Sequence, residues 1–249
     1  MKVVIAPAYQ YIESFISAIP QGDYPCEKVF SDRRNHVELV RVGDLFLVVK
    51  RFKRPTIANC VIYTWFRKNK AQRAWENAYL FKKYGLDTAE PVATIVRKKY
   101  GFFHTAWFIS AYLPYPDLEE AYQACETKEE KEALIDAFVA YTLHLHELGI
   151  IHRDYNRKNI LVHKETDGYR FAMIDINRLW LKRNPDVRLS MRALLMLKMN
   201  DEAKEMILPK YAEGRGFSVE DCQIYLDKIE HYDAIRHQVK TALKQLIHK

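Results

Sequence analysis

The stretch Ile151-His152-Arg153-Asp154-Tyr155-Asn156-Arg157-Lys158-Asn159-Ile160-Leu161-Val162 constrains this chain more than any other. Apolar residues at both ends enclose a polar centre, with Asp154 and Asn159 five positions apart. Upstream, Leu134, Phe138, Tyr141, Leu145 and Leu148 recur at helical spacing, which predicts a helix over 129–148 that Gly149 ends. Downstream, Ile160–His163 and Tyr169–Ile174 flank Asp167-Gly168 and predict a hairpin. The segment is therefore a loop between a helix and a strand. Its plainest reading is an Asp-Asn turn, so its meaning depends on the residues the rest of the chain supplies.

At 249 residues the chain can bury a substantial core as one domain or two closely packed lobes. With 49% hydrophobic and 29% charged residues and no low-complexity stretch, it reads as folded rather than disordered. A net charge of +7 favours an anionic partner, whether nucleotide phosphate, anionic lipid or nucleic acid. The basic residues are not interleaved with an aromatic platform of a recognised module, so nucleic acid is the weakest of these and none is expected. Cys26, Cys60, Cys125 and Cys222 form no C-x-x-C pair, which argues against a zinc site or a disulfide framework. The N-terminal apolar run is too short for a signal peptide, and no window approaches the ~18 apolar residues of a membrane-spanning helix. The expectation is a cytoplasmic protein.

Residues 1–28 read as an extension packed on the body of the fold. Val37–Val42 and Leu45–Phe52 around Gly43-Asp44 predict a hairpin, with Lys50 near the end of its second strand. A buried strand lysine needs a carboxylate or an anion, while an edge-strand lysine would simply reach solvent. Periodicity predicts a helix from Val61 to Tyr84, ended by Gly85, with Glu76 on a stripe shared with Arg73, Leu80 and Lys83. Glu76 is either a solvated glutamate paired within that stripe or the partner that orients Lys50. Arg67, Lys68, Lys70 and Arg73 give this helix a basic face. Two further strands, Val92–Arg97 and Thr105–Leu113, turn at Tyr100-Gly101. Pro114 and Pro116 then mark a linker at 114–116. The predicted fold is α+β with two lobes: a small antiparallel-sheet N-lobe at 1–113 containing the helix of Glu76, and a mainly helical C-lobe at 117–249. At the end of the hairpin that follows the central loop stands Asp175-Ile176-Asn177-Arg178. Asp175 there is either a helix N-cap or a cation ligand. Helices are expected over 189–199, 219–229 and 233–248.

Lys50, Glu76, Asp154, Asn159 and Asp175 thus occur in one order, each in a predicted strand, helix or loop. That order resembles the protein-kinase set, and 152–159 is close to H-R-D-L-x-x-x-N, with Tyr155 in place of Leu. Tyr155 is expected to pack beneath the loop. The resemblance implies ATP and Mg²⁺ as cofactors. Lys50, oriented by Glu76, would grip the α/β-phosphates; Asn159 and Asp175 would hold the metal; Asp154 would be the catalytic residue that orients the acceptor hydroxyl. Three departures stand out: Ile176-Asn177 replaces Phe-Gly after Asp175, no A-P-E element follows, and the loop Phe30–His36 over the nucleotide has no glycine, leaving Arg33 or Arg34 to contact phosphate.

With Leu47-Val48-Val49-Lys50, Phe66–Glu76, Gly85–Pro91, the loop 152–159 and Ile174–Arg178, residues 30–180 are similar to the bacterial lipopolysaccharide kinases, which phosphorylate Kdo or heptose of the inner core. The resemblance implies an ATP-dependent phosphotransferase acting on a sugar hydroxyl of a lipid-linked core saccharide, with peripheral contact at the cytoplasmic face of the inner membrane. The alternatives that remain are a kinase of another small-molecule or protein hydroxyl, and a catalytically weak pseudokinase that acts as a binding module.

Overall fold

The computed structural model describes residues 1–22, 24–33, 35–182 and 184–247. Two compact units emerge, one formed by Met1–Tyr115 with Ala172–Arg178, the other by Pro116–Phe171 with Leu179–Lys249. The chain therefore enters the first unit a second time, with the segment that carries Asp175.

The first unit is a six-stranded sheet. Its strands are β1 (Lys2–Ile5), β2 (Cys26–Ser31), β3 (Asn35–Val42), β4 (Leu45–Phe52), β5 (Pro91–Lys99) and β6 (Phe102–Ala111), in the order β1-β5-β6-β4-β3-β2. All pairings are antiparallel. The predicted N-terminal extension is thus partly sheet, since β1 pairs with β5 and β2 with β3. Between them, the short helix α1 (Glu13–Ala18) and its flanking 3-10 turns bury Ile12, Ile16 and Ile19 on one face against Leu47, Val49, Ile95 and Ile109. Residues of β4 alternate faces with a period of two. Phe52 accordingly lies on the opposite face, packed with Ala71, Ala74, Val96 and Phe108, and Lys50 shares its parity.

The single helix predicted over 61–84 is two helices, α2 (Ile57–Trp65) and α3 (Lys70–Lys83). Asn69 is the reason. Its side chain accepts from Gln72 N at 3.1 Å, and the Gln72 side chain accepts from Asn69 N at 3.1 Å. This reciprocal cap satisfies helix-start donors at a residue that disfavours a helix interior. Ala71, Ala74, Ala78 and Phe81 then form the buried stripe of α3.

In the second unit, α4 (Leu118–Gln123) and α5 (Lys128–Glu147) open on side-chain caps from Asp117 and Thr127. β7 (Ile150–His152) follows, and then the β8 (Ile160–Glu165)–β9 (Gly168–Met173) hairpin, whose last two residues belong to the first unit. β10 (Leu179–Leu181) pairs antiparallel with β7. The helices α6 (Val187–Leu195), α7 (Asp201–Arg215) and α8 (Val219–Ile247) complete it. Here α8 runs unbroken through both stretches predicted as separate helices, up to the last described residue. α7 packs on α5 so closely that a methyl group on Gly214 would collide with the Leu143 side chain. Among the described residues no helix is long and apolar enough to cross a membrane.

Candidate active site

In the first unit β4 is flanked by β3 and β6, with Lys50 registered opposite Val37 and Phe108, so Lys50 is not an edge-strand lysine. Its side chain is only 14% exposed, and its Nζ lies 2.6 Å from Asp175 Oδ1. A buried ammonium requires such a partner. The sequence assigned that partnership to Glu76, and the structure assigns the two charges differently. Glu76 Oε1 pairs with Lys68 Nζ at 2.7 Å and lines a cleft of about 160 Å³ with Lys2, Gln72 and Thr94. The cause is helical geometry. At about 100° per residue, Lys70 and Asn77 share a stripe with Arg73 at its edge, and Glu76 lies beyond Arg73, about 100° round from Asn77.

That stripe holds the Asp175 segment. Arg73 Nε donates to Asn177 O at 3.0 Å, and Asn77 Nδ2 donates to Ile176 O at 2.5 Å. Thr88 Oγ1 donates to Met173 O at 2.6 Å, and Met173 N donates to Asp87 O at 3.0 Å. Asp175 sits at φ 56, a left-handed conformation that costs a non-glycine residue energy and persists only where its surroundings enforce it. Asn177 Nδ2 donates to Asp175 Oδ1, which gives the Asp-x-Asn spacing a structural purpose. No helix begins at Asp175, so the N-cap alternative falls; Asp186 caps α6 instead. The Lys70 ammonium is pushed below its ordinary pKa, chiefly by burial and next by the Arg178 charge, with Lys50 and Arg73 also acting on it. Asp175 acts on Lys70 in the opposite sense, so its ammonium feels three cations and one carboxylate. Lys70, Arg73, Asn77 and Asn177 were not singled out as site residues from the sequence. The stripe spacing on α3 was the available signal for the first three.

The hairpin over 30–36 is braced by His36, whose Nδ1 lies 2.8 Å from Asp32 and whose Nε2 lies 3.2 Å from Glu38. These contacts, led by the one to Asp32, raise the pKa of His36. Arg34, offered as a phosphate contact, lies outside the described residues.

In the second unit, β7 delivers the loop and β10 fixes its start through the Leu179↔His152 register. Asn156 N donates to Asp154 O at 2.7 Å, and Asn159 Nδ2 donates to the same carbonyl at 2.9 Å. Asp154 N donates to His152 Nδ1 at 3.2 Å, while Asn159 N donates to Asn156 O at 2.8 Å. Anchoring the amide nitrogen of Asn159 leaves its Oδ1 as a hard oxygen donor. Such an oxygen, like the carboxylate of Asp175 in the first unit, is of the hard type that Mg²⁺ takes. Tyr155 packs beneath the loop as expected: it is 1% exposed, stacked on Phe138, and its hydroxyl lies 2.7 Å from Thr142 Oγ1. Burial raises its pKa. Arg157 ties the loop outward through Glu119 at 2.8 Å and donates to the carbonyls of Leu197 and Lys198. A separate cavity of about 500 Å³, lined by Leu194, Leu197, Met199, Ile207 and Leu226, contains none of these residues.

The sequence profile of the lipopolysaccharide kinase (Kdo/WaaP) family matches residues 36–206, well over half of the chain. The chain belongs to this family. Membership makes it a phosphotransferase with an alcohol group as acceptor, a kinase of the lipopolysaccharide core. Among solved structures, the one titled "WaaP in complex with acyl carrier protein" superposes with a TM-score of 0.61 at 17% identity, covering 97% of this chain and 99% of that one. A MAP kinase of Leishmania major, LmaMPK10, matches at TM-score 0.46 and 13% identity over 88% of this chain and 66% of that chain. The fold is protein-kinase-like α+β, with an antiparallel sheet in the first unit and a helical second unit. No curated protein matches the sequence.

Proposed function

We propose that this chain transfers the γ-phosphoryl group of ATP to a hydroxyl of Kdo or heptose in a lipid-linked lipopolysaccharide inner core, at the cytoplasmic face of the inner membrane. The observation that carries the reading is the Lys50–Asp175 pair at 2.6 Å, two residues far apart in sequence that membership of this family makes meaningful together.

In this reading Lys50 exchanges Asp175 for the α/β-phosphates when nucleotide arrives. Lys70, Arg73 and Arg178 supply the surrounding positive charge, which is worth most where water is excluded. Asp175 and Asn159 would be the residues that hold Mg²⁺. Mg²⁺, when bound, neutralises charge on the phosphate oxygens. Asp154 orients the acceptor hydroxyl and accepts its proton; its carboxylate makes no hydrogen bond or ion pair among the described residues. Glu76 would have to leave Lys68 in order to orient Lys50.

The experiment is phosphotransfer from Mg-ATP to lipid A precursors carrying Kdo or heptose, read as a mass shift of one phosphate. Activity on one of these acceptors that Asp154→Asn abolishes is the expected result. Transfer only to unrelated hydroxyls, or full activity in Asp154→Asn, overturns the proposal.

A further inference from the structure

Helix α2 contains no charged residue. Its inner side packs: Cys60 is buried, Tyr63 meets Phe103 edge-on at 5.5 Å, and Thr64 Oγ1 accepts from Phe103 N at 2.8 Å. Its outer side is equally apolar and uncovered, with Ile57 83% exposed, Trp65 63% and, just beyond, Phe66 79%. A helix that is apolar all round belongs in an interior or against a partner. The patch continues onto the β5–β6 turn, where Trp65 meets Phe102 at 5.3 Å. At the tip Tyr100 is 87% exposed and held at φ 53, where a tight turn favours Asn or Gly. Tyr100 is thus a bulky aromatic kept in solvent and in a disfavoured conformation, with the Lys99 ammonium 5.3 Å over its ring.

The charge around this patch has one sign. Residues 45–75 and 91–116 together contain eleven Lys or Arg and no Asp or Glu, more than the whole chain's net charge of +7. The rest of the chain is therefore net acidic. Arg54, Arg67, Lys98 and Lys99, all exposed, border the aromatics.

We propose that the outer side of α2 and the β5–β6 tip dock this protein on an anionic phospholipid bilayer. Ile57, Trp65, Phe66 and Tyr100 enter the interfacial layer, and Arg54, Arg67, Lys98 and Lys99 contact lipid phosphates. Aromatic side chains interleaved with Lys and Arg match the boundary between headgroups and acyl chains. A second copy of this face would set like charge against like charge. The inference rests on the proposed lipid-linked acceptor for its purpose, and its test uses no nucleotide, so docking and phosphotransfer can fail independently.

The full chain is sedimented with vesicles of phosphatidylethanolamine and phosphatidylglycerol, and with vesicles of phosphatidylcholine alone. Binding to the anionic vesicles only, weakened by salt, is expected. Trp65→Ser with Phe66→Ser should weaken it about tenfold or more, from the lost apolar burial. Lys98→Ala with Lys99→Ala should weaken it about twenty-five-fold, from about 1 kcal/mol per basic side chain. Should the aromatic variant lose its fold by circular dichroism, the lysine variant decides, because those side chains lie at an exposed turn. Equal binding to neutral vesicles overturns the proposal, as does unaltered binding by the folded variants. Preference for soluble polyglutamate over vesicles, or a dimer that Trp65→Ser with Phe66→Ser makes monomeric, would equally overturn it.

Discussion

Asp154 and Asp175 are held in different ways. The backbone at Asp154 itself is closed by residues no more than five positions away, through Asn156, Asn159 and His152. Arg157 anchors the same loop to Glu119, Leu197 and Lys198 of its own unit. Asp175 lies in a segment gripped from elsewhere in the sequence: Lys50 takes its carboxylate, Arg73 and Asn77 donate to the next two carbonyls, and Thr88 donates to the Met173 carbonyl two residues before it. The first arrangement is local and confined to its own unit. The second depends on a strand, a helix and a connecting segment each being in place. A loop of the first kind tolerates changes elsewhere, whereas one of the second kind transmits them.

Substitutions can break or sharpen this contrast. The largest expected effect is on chemistry in the local loop. Asp154→Asn should lower kcat by about a thousandfold, the scale of a lost general base, with the melting temperature unchanged. A fall in melting temperature of similar rank to the activity loss would mean that Asp154 is structural. Next comes the long-range grip. Asn77→Ala should lower kcat/KM by roughly tenfold to a hundredfold and raise the Mg²⁺ concentration needed for half-maximal activity, because Asp175 loses an anchor. An unchanged Mg²⁺ requirement would detach Asn77 from Asp175.

The third test is pH. Burial drives His146 down to about 3 from 6.5, and its Nδ1 lies 2.5 Å from Tyr211 Oη. The unfolded chain therefore takes up a proton below pH 6.5 that the fold refuses. Stability from this group is full above pH 6.5 and falls as pH drops toward about 3. The slope is about 1.4 kcal/mol per pH unit. Denaturant melts at pH 7 and pH 5 should show wild type losing about 2 kcal/mol that His146→Gln does not lose. Parallel losses would place the acid sensitivity elsewhere. The smallest effect belongs to Tyr155→Phe, which removes the hydroxyl shared with Thr142 and keeps the ring on Phe138. It should cost about 1 kcal/mol in urea unfolding, with kcat nearly unchanged.

The local arrangement was also the legible one. The spacing of Asp154 and Asn159, the helix before them and the hairpin after them lie in one continuous stretch, so the loop's place could be read from it. The β3–β4 and β5–β6 hairpins were readable for the same reason, through Gly43-Asp44 and Tyr100-Gly101. The break at Asn69 was missed because Tyr63 and Phe66 before it and Ala74 and Ala78 after it keep to helical spacing, although Asn69 with Gln72 is itself a cap signal. β1 was missed because its partner β5 is distant in sequence; β2 pairs with the adjacent β3, but no glycine marks the turn between them. The choice between Glu76 and Asp175 as partner of Lys50 turned on a rotation of α3 that periodicity does not encode.

The amino-acid sequence by itself determined the family pattern, the loop of Asp154, the position of Lys50 near the end of a strand and the two segments that lack acidic residues. Tertiary structure alone decided that Lys50 meets Asp175, that Arg73 and Asn77 hold the Asp175 segment, and that the outer side of α2 stays uncovered. Short-range hydrogen bonds and alternation are written in neighbouring residues. Which charges meet and which apolar faces remain exposed follow from how whole strands and helices pack, and no local stretch contains that information.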